Sequence, residues 1–102
     1  MTDRIYRSWT KPAVFQVLVQ LLPRVAPLKV AGPVFPETSL SEDLEFDSLD
    51  AIDLLTAVNE AFSIVLDFEA WIDEESQLEE KPFTVDSLCR FIIQEMRKGE
   101  GE

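Results

Sequence analysis

The stretch "EFDSLDAIDLL", residues 45–55, places one serine between two aspartates at the point where a loop gives way to a helix. Asp47 or Ser48 can cap this helix, because their side-chain oxygens accept hydrogen bonds from the unpaired N–H groups of a first turn. Asp50 adds negative charge near the positive end of the helix dipole. The pattern therefore predicts a helix that begins at Ser48 and extends to about Leu66.

The predicted helix has apolar residues on two faces, which a single core does not explain. The first face is typical of a core stripe and comprises Ala51, Leu54, Leu55, Val58 and Phe62. The second is a shorter stripe of Ser48, Leu49, Ile52 and Thr56, interleaved with Asp50, Asp53 and Glu60. We interpret the second stripe as a docking surface. Burial of Leu49 and Ile52 under the preceding loop remains an alternative.

The negative charge of the chain narrows the kind of partner that it can bind. The 102 residues include 20 acidic and 9 basic ones, for a formal net charge of −11. Between Val30 and Glu80 there are 15 acidic residues and no Lys or Arg. A nucleic-acid partner is excluded, because phosphate binding requires a cationic surface. The acidity favours a basic protein partner, and solubility alone is the alternative.

The absence of histidine and the single cysteine, Cys89, narrow the chemistry further. They exclude a Ser–His–Asp triad, a histidine metal site and an internal disulfide. No apolar run approaches membrane-spanning length, so we expect no membrane insertion. The single cysteine fits a cytoplasmic location. Cys89 and Trp71 are expected to be core residues.

The rest of the chain predicts one helical domain over residues 10–97, with a flexible arm at 1–9 and a frayed tail at 98–102. Thr10 caps a first helix, which Pro23 and Pro27 end. A long loop follows over residues 23–43, a short helix near 69–78, and a last helix that Thr84 caps. Five apolar residues of the loop are expected to pack against the domain: Leu28, Val30, Val34, Phe35 and Leu40. In the last helix, the residues expected to face inward are Val85, Leu88, Phe91 or Ile92, and Met96.

Two segments carry a resemblance to a known family. The run "SLSEDLEFDSLDAIDLLTAVNEAFSIVL", residues 39–66, and the run "FTVDSLCRFIIQEM", residues 83–96, resemble acyl carrier proteins. In that family an Asp-Ser-Leu motif opens the second helix of a four-helix bundle. The resemblance therefore implies an all-α bundle with three main helices, a short irregular third helix and a long loop between the first two.

The resemblance also implies a function. By its position in the motif, Ser48 is the residue that receives 4′-phosphopantetheine from coenzyme A, through a phosphopantetheinyl transferase. The arm would hold acyl groups as thioesters for enzymes of fatty-acid, lipid or polyketide biosynthesis, and the chain itself would be a monomer and no enzyme. Basic patches on these partners would meet a surface made of Asp47, Leu49, Asp50, Ile52, Asp53, Thr56 and Glu60.

One departure from the family pattern and one pair of carboxylates keep two alternatives open. Glu45 and Phe46 precede the motif where the family usually has a glycine, which adopts positive φ without strain. This departure favours an unmodified acidic interaction module with the carrier fold. A second alternative is an enzyme that uses paired carboxylates such as Asp47 and Asp50 for acid–base or metal chemistry, which requires a pocket with perturbed pKa values.

Overall fold

The computed structural model describes residues 9–100, with the side chains of residues 98–100 excepted. It contains four helices: α1 at Lys11–Val25, α2 at Ser48–Phe62, α3 at Phe68–Ser76 and α4 at Val85–Glu100. The expected all-α bundle is confirmed, and the described residues form no strand beyond an isolated bridge between Ser39 and Thr84. Of the predicted arm, residues 1–8 lie outside the described residues.

The helix starts follow the predicted caps. Thr10 Oγ1 accepts a hydrogen bond from the N–H of Ala13 at 3.3 Å, at the start of α1. Thr84 Oγ1 accepts one from the N–H of Ser87 at 3.1 Å, at the start of α4. Each cap satisfies an N–H group that has no partner within its own helix.

The predicted helix ends were less accurate. The expectation for Pro23 is wrong: the helix continues past it to Val25 and ends before Pro27, because Pro23 lies on an exposed side where the loss of one hydrogen bond is tolerated. The predicted end of α2 at Leu66 is also wrong. Ser63 has the left-handed φ of 56° and ends the helix after Phe62. The last helix is longer than expected, because α4 includes residues 98–100, which were predicted to belong to a frayed tail.

One core fills the space between the helices, and α1 packs against both α2 and α4. Trp9, expected in the arm, packs its ring edge-on against Phe62 at a centroid distance of 4.9 Å. Met96 is half-buried against this core. The helices α1, α2 and α4 each contribute a buried apolar stripe, as the periodicity predicted, whereas α3 contributes Trp71 alone. The core residues on the helices are Val14, Leu18, Leu22, Leu54, Val58, Phe62, Trp71, Val85, Leu88, Cys89, Phe91 and Ile92.

The long loop between α1 and α2 is fastened to the start of α4. The N–H of Leu40 donates to the carbonyl of Phe83 at 2.8 Å, and the N–H of Val85 donates to the carbonyl of Thr38 at 2.9 Å. Val30 and Leu40 are buried, as expected. The expectation was wrong for two other residues of the loop, because Leu28 and Phe35 are exposed.

Candidate functional site

Ser48 is the first residue of α2, and its side chain is exposed. Asp47, not Ser48, caps the helix: Asp47 Oδ1 accepts from the N–H of Asp50 at 3.0 Å, and Asp50 Oδ2 accepts from the N–H of Asp47 at 3.1 Å. This reciprocal pair is a capping box with aspartates in both positions. Among the described residues, none hydrogen-bonds the Ser48 hydroxyl, which is therefore available to another molecule.

The loop before the motif keeps a conformation that normally requires glycine. Glu45 has a φ of 59°, in the left-handed region that costs a residue with a Cβ atom roughly 1–2 kcal/mol. The next residue is fixed by a hydrogen bond from the N–H of Phe46 to the carbonyl of Leu40 at 2.9 Å. Glu45 therefore adopts a positive φ that glycine would adopt without strain.

A lysine from the long loop holds this turn in place. Lys29 Nζ lies 2.5 Å from Asp50 Oδ2 and 3.7 Å from Asp47 Oδ2, and it donates to the carbonyl oxygen of Glu45 at 3.0 Å. We call Lys29 with these three acceptors the Lys29 clamp. It joins two segments that are about 20 positions apart in the sequence.

The pKa values of the Lys29 clamp reflect these contacts. The hydrogen bond to Asp50 raises the pKa of Lys29 above its ordinary value. The same hydrogen bond, followed by the backbone N–H of Asp47, lowers the pKa of Asp50. Both groups are therefore charged at neutral pH. Of the residues expected to meet a partner, Asp50 is thus already paired within the chain.

The second stripe of α2 faces outward. Leu49 is 72% exposed and Ile52 is 56% exposed, so the alternative that the loop buries them is wrong. Asp53, Thr56 and Glu60 are also exposed and continue along the same helix. The Thr56 hydroxyl donates to the carbonyl of Ile52 at 3.0 Å, which leaves the threonine methyl group for an apolar contact. We call Leu49, Ile52, Asp53, Thr56 and Glu60 the α2 stripe.

A cavity of about 500 Å³ opens beside Ser48. Asp47, Ser48 and Ser41 contribute to its lining near the start of α2. The remaining lining is largely apolar and includes four aromatic rings, from Phe46, Phe68, Trp71 and Phe83. This volume lies within the range of small-molecule sites in proteins.

The far side of the cavity is fixed by a buried carboxylate. Glu75 is only 6% exposed; its Oε1 accepts from the N–H of Phe83 at 2.6 Å and its Oε2 from the hydroxyl of Ser87 at 2.7 Å. Ser87 Oγ in turn accepts from the indole N–H of Trp71 at 3.1 Å. We call Glu75, Ser87, Trp71 and the Phe83 N–H the Glu75 network. It locks α3 to α4 and sets the orientation of Trp71.

Sequence reasoning missed both the Lys29 clamp and the Glu75 network. The sequence did single out Lys29, since it is the last basic residue before 51 residues without Lys or Arg. Glu75 also had a signal, because it lies four positions after Trp71 and therefore on the inward face of α3. Trp71 was expected in the core, where it lies at 2% exposure, but it also lines the cavity.

Other kinds of site find little support in the described part of the chain. Residues 9–100 contain no group of His, Cys, Asp or Glu side chains placed to hold a metal ion. In the same range, no helix is both long and apolar enough to cross a membrane. Cys89 is buried, and burial raises the pKa of its thiol to about 11, so the thiol is unreactive at neutral pH.

Comparisons with known proteins show the family of the chain. Residues 16–80 match the family described as "Phosphopantetheine attachment site". The chain is 34% identical over 62 residues to acyl carrier protein AcpXL of Brucella melitensis, an alignment that covers 58% of this chain and 67% of that protein. It is 38% identical over 61 residues to an acyl carrier protein of Rubrobacter xylanophilus, which covers 60% of this chain and 65% of that protein.

A third relative is an acyl carrier protein of Thermosynechococcus vestitus, which is 41% identical over 59 residues. This alignment covers 58% of this chain and 63% of that protein. The chain thus spans about two thirds of the length of these relatives. No solved structure matches it significantly. The prosthetic group of the family is 4′-phosphopantetheine, and an exposed serine hydroxyl beside an apolar cavity fits that group. The match over more than half of its length shows that the chain belongs to the acyl carrier protein family, whose members are carriers and not enzymes.

Proposed function

We propose that Ser48 is the attachment point of 4′-phosphopantetheine, and that the chain carries acyl groups between enzymes of fatty-acid, lipid or polyketide biosynthesis. One observation carries the proposal: the Ser48 hydroxyl is exposed at the first residue of α2 and borders an apolar cavity. A transferase can therefore reach the hydroxyl, and the apolar part of a cargo has a place to leave water.

Each part of the site has a role in this proposal. The bound arm supplies a terminal thiol that holds the acyl group as a thioester. Ser48 Oγ forms the covalent link, and the capping box of Asp47 and Asp50 holds the first turn of α2 so that this oxygen points outward. The aromatic lining of the cavity excludes water from an apolar cargo.

The α2 stripe is proposed as the docking surface for the transferase and for acyl-handling enzymes. Leu49, Ile52 and Thr56 offer the apolar contact, while Asp53 and Glu60, with Asp47 at the helix start, attract basic patches on these partners. Electrostatic attraction of this kind speeds association by about 10–10³-fold and weakens with salt. Such docking suits a carrier that must bind and release quickly. A cytoplasmic location and a monomeric state belong to the same proposal.

The test is the intact mass of the protein after incubation with coenzyme A, Mg²⁺ and a broad-specificity phosphopantetheinyl transferase. We expect the wild type to gain the mass of one phosphopantetheinyl group and Ser48→Ala to gain none. Ser41→Ala is the matched control, since Ser41 is an exposed serine that lines the same cavity, and it should gain the group normally. No gain by the wild type with several transferases would favour the unmodified interaction module.

Thiol chemistry supplies an independent readout. Because burial raises the pKa of Cys89 to about 11, a brief native alkylation near pH 8 should leave Cys89 unlabelled. After modification, the same treatment should label one thiol, that of the arm. Labelling of Cys89 in the native unmodified protein would contradict the buried position of its thiol.

The steering role of the α2 stripe has its own test. Asp53 is a better site than Asp50, whose side chain is held in the Lys29 clamp. We expect Asp53→Lys to slow modification of Ser48 at low salt by a factor of about 10, and the difference to shrink as salt is added. Asp73→Lys makes the same charge change at an exposed position on α3 and is the control. Equal rates for both variants at low salt would refute steering by this surface.

A further inference from the structure

The phosphodiester that joins an arm to Ser48 adds one negative charge to a strongly acidic surface. Asp47 precedes Ser48 and Asp50 lies two residues after it, and no Lys or Arg occurs between Val30 and Glu80. The positive end of the α2 dipole favours negative charge here, but Asp47 and Asp50 already occupy it, and like charges within a few ångströms repel. The question is which group of the chain offsets the added charge.

Lys29 is the cationic residue that the structure brings to this turn. Its Nζ contacts Asp47, directly before Ser48, and Asp50, two residues after it, and the Lys29 side chain is still 34% exposed. The contact to Asp47 is long, at 3.7 Å, so Lys29 holds this acceptor weakly. An ammonium group has three N–H donors that rotate freely, so it can take a new oxygen acceptor without releasing Asp50.

We propose that Lys29 is the counter-ion of the phosphodiester on Ser48, as well as the clamp of the first turn of α2. This inference rests on the proposed attachment at Ser48. Modification would shift Lys29 Nζ from its weak contact with Asp47 toward the phosphodiester oxygens, while its hydrogen bond to Asp50 is kept. Lys29 is then a positioning residue that sets where the arm leaves the protein surface.

The first test is a thermodynamic cycle that uses melting temperatures. The unmodified and the fully modified forms are compared for the wild type and for Lys29→Met, which keeps most of the apolar stem but removes the charge. If Lys29 only clamps the loop, its loss lowers the melting temperature equally in both forms. If it is also the counter-ion, the loss is several degrees larger in the modified form and shrinks in high salt.

Lys81→Met is the matched control for this cycle. Lys81 Nζ lies 2.5 Å from Asp43 Oδ2, in an exposed pair between two loops that does not involve the first turn of α2. We expect its replacement to change the melting temperature equally in the two forms. Lys29→Arg keeps a cation and should restore most of the coupling that Lys29→Met removes.

The second test needs no variant to be modified, because it follows the side-chain ammonium signals of the wild type by NMR. We expect the Lys29 Nζ signal to shift on modification, while the Lys81 signal stays in place. Mass spectrometry of the same sample reports the modification itself. An unmodified sample would therefore count against the proposed function, whereas complete modification with an unmoved Lys29 signal, or with equal losses in the cycle, would overturn the counter-ion assignment.

Discussion

The Lys29 clamp and the Glu75 network hold two sides of the same cavity by different means. The clamp lies at the surface: the side chains of Lys29 and Asp50 are 34% and 17% exposed, and that of Asp47 is 64% exposed. In the Glu75 network, the carboxylate and its partner Ser87 are buried, and Trp71 is 2% exposed. The side that bears Ser48 is thus fastened by charges in contact with water, and the opposite side by hydrogen bonds out of water.

The difference has a physical consequence. Exposed ion pairs contribute little to stability and are weakened by salt, so their partners can be exchanged at small cost. A buried carboxylate contributes through charge-assisted hydrogen bonds, and the loss of one partner leaves polar groups unsatisfied. We infer that the serine side can adjust to an attached group or to a docked enzyme, whereas α3 keeps its position. A carrier that meets several partners benefits from this division.

The largest expected effect comes from breaking the Glu75 network. Glu75→Ala leaves the N–H of Phe83 and the hydroxyl of Ser87 without their acceptor, and we expect it to lower the free energy of unfolding by about 2–4 kcal/mol. Urea denaturation monitored by Trp fluorescence measures this loss. Salt should change it little, because the groups are buried.

Glu74→Ala is the control for this prediction, because Glu74 is the exposed neighbour of Glu75 on the same helix. Its free energy of unfolding should stay within about 0.5 kcal/mol of the wild type. Glu75→Gln should fall between the two, since its amide keeps one acceptor oxygen. A Glu75→Ala protein as stable as Glu74→Ala would show that the network does not hold α3.

The Glu75 network also shows where prediction from sequence ended. The starts of α1, α2 and α4 were predictable, because Thr10, Asp47 and Thr84 are capping residues placed directly before apolar periodic segments, whereas the cap of α3, Asp67, was missed. The buried stripes followed from the same periodicity. Glu75, however, lies in the run "DEESQLEE", residues 73–80, where composition alone does not separate a buried carboxylate from the solvated ones around it.

The candidate site also has features that the sequence predicts and features that it does not. The motif around Ser48 is local, so its serine, its cap and its exposed apolar neighbours could be predicted. The pairing of Lys29 with Asp50 joins residues 21 positions apart, and the path of the intervening loop determines it. The positive φ of Glu45 was also missed, since a glutamate gives no signal for a conformation that usually indicates glycine.

The next effect is smaller and should depend on both salt and pH. Asp50→Asn removes the charge that Lys29 contacts, and we expect a melting temperature a few degrees lower at low salt, with a smaller difference in 1 M salt. The pKa of Asp50 is lowered in the folded protein, so its stabilising effect is present above the ordinary value of about 3.9 and is lost as the pH falls through the folded pKa.

At high pH the stabilising effect of the pair is lost through Lys29, as the pH rises and not as it falls. The pKa of Lys29 is raised in the folded protein, so its contribution is present below its ordinary value of about 10.4 and is lost as the pH rises through the folded pKa. Melting curves of the wild type and of Asp50→Asn should therefore differ most between about pH 5 and pH 9 and converge at both extremes. A difference that stays constant as the pH falls through the folded pKa of Asp50 would show that Asp50 acts through its shape and not through its charge.

The smallest effect tests the residue that most distinguishes this chain from the family pattern. Glu45 is exposed and has a φ of 59°, so Glu45→Gly should relieve the strain of the left-handed conformation. Glycine also gives the unfolded chain more freedom, which leaves a net gain of about 0.5–1 kcal/mol in the free energy of unfolding. Phe83→Gly is the contrast: its φ is also positive, at 57°, but its ring packs on Trp71 at 5.3 Å, so its replacement should destabilise the fold.

Glu45→Gly also bears on modification. Glu45 already has a positive φ, which glycine adopts without strain, and Lys29 donates to the carbonyl of residue 45, a contact that needs no particular side chain. We therefore expect the transferase to modify Glu45→Gly and the wild type at rates within about twofold of each other, which is well under 1 kcal/mol of barrier. A gain of tenfold or more would mean that the glutamate side chain itself hinders docking. In that event Glu45 would select among transferases, because repulsion of the wrong partner contributes to specificity as much as attraction of the right one.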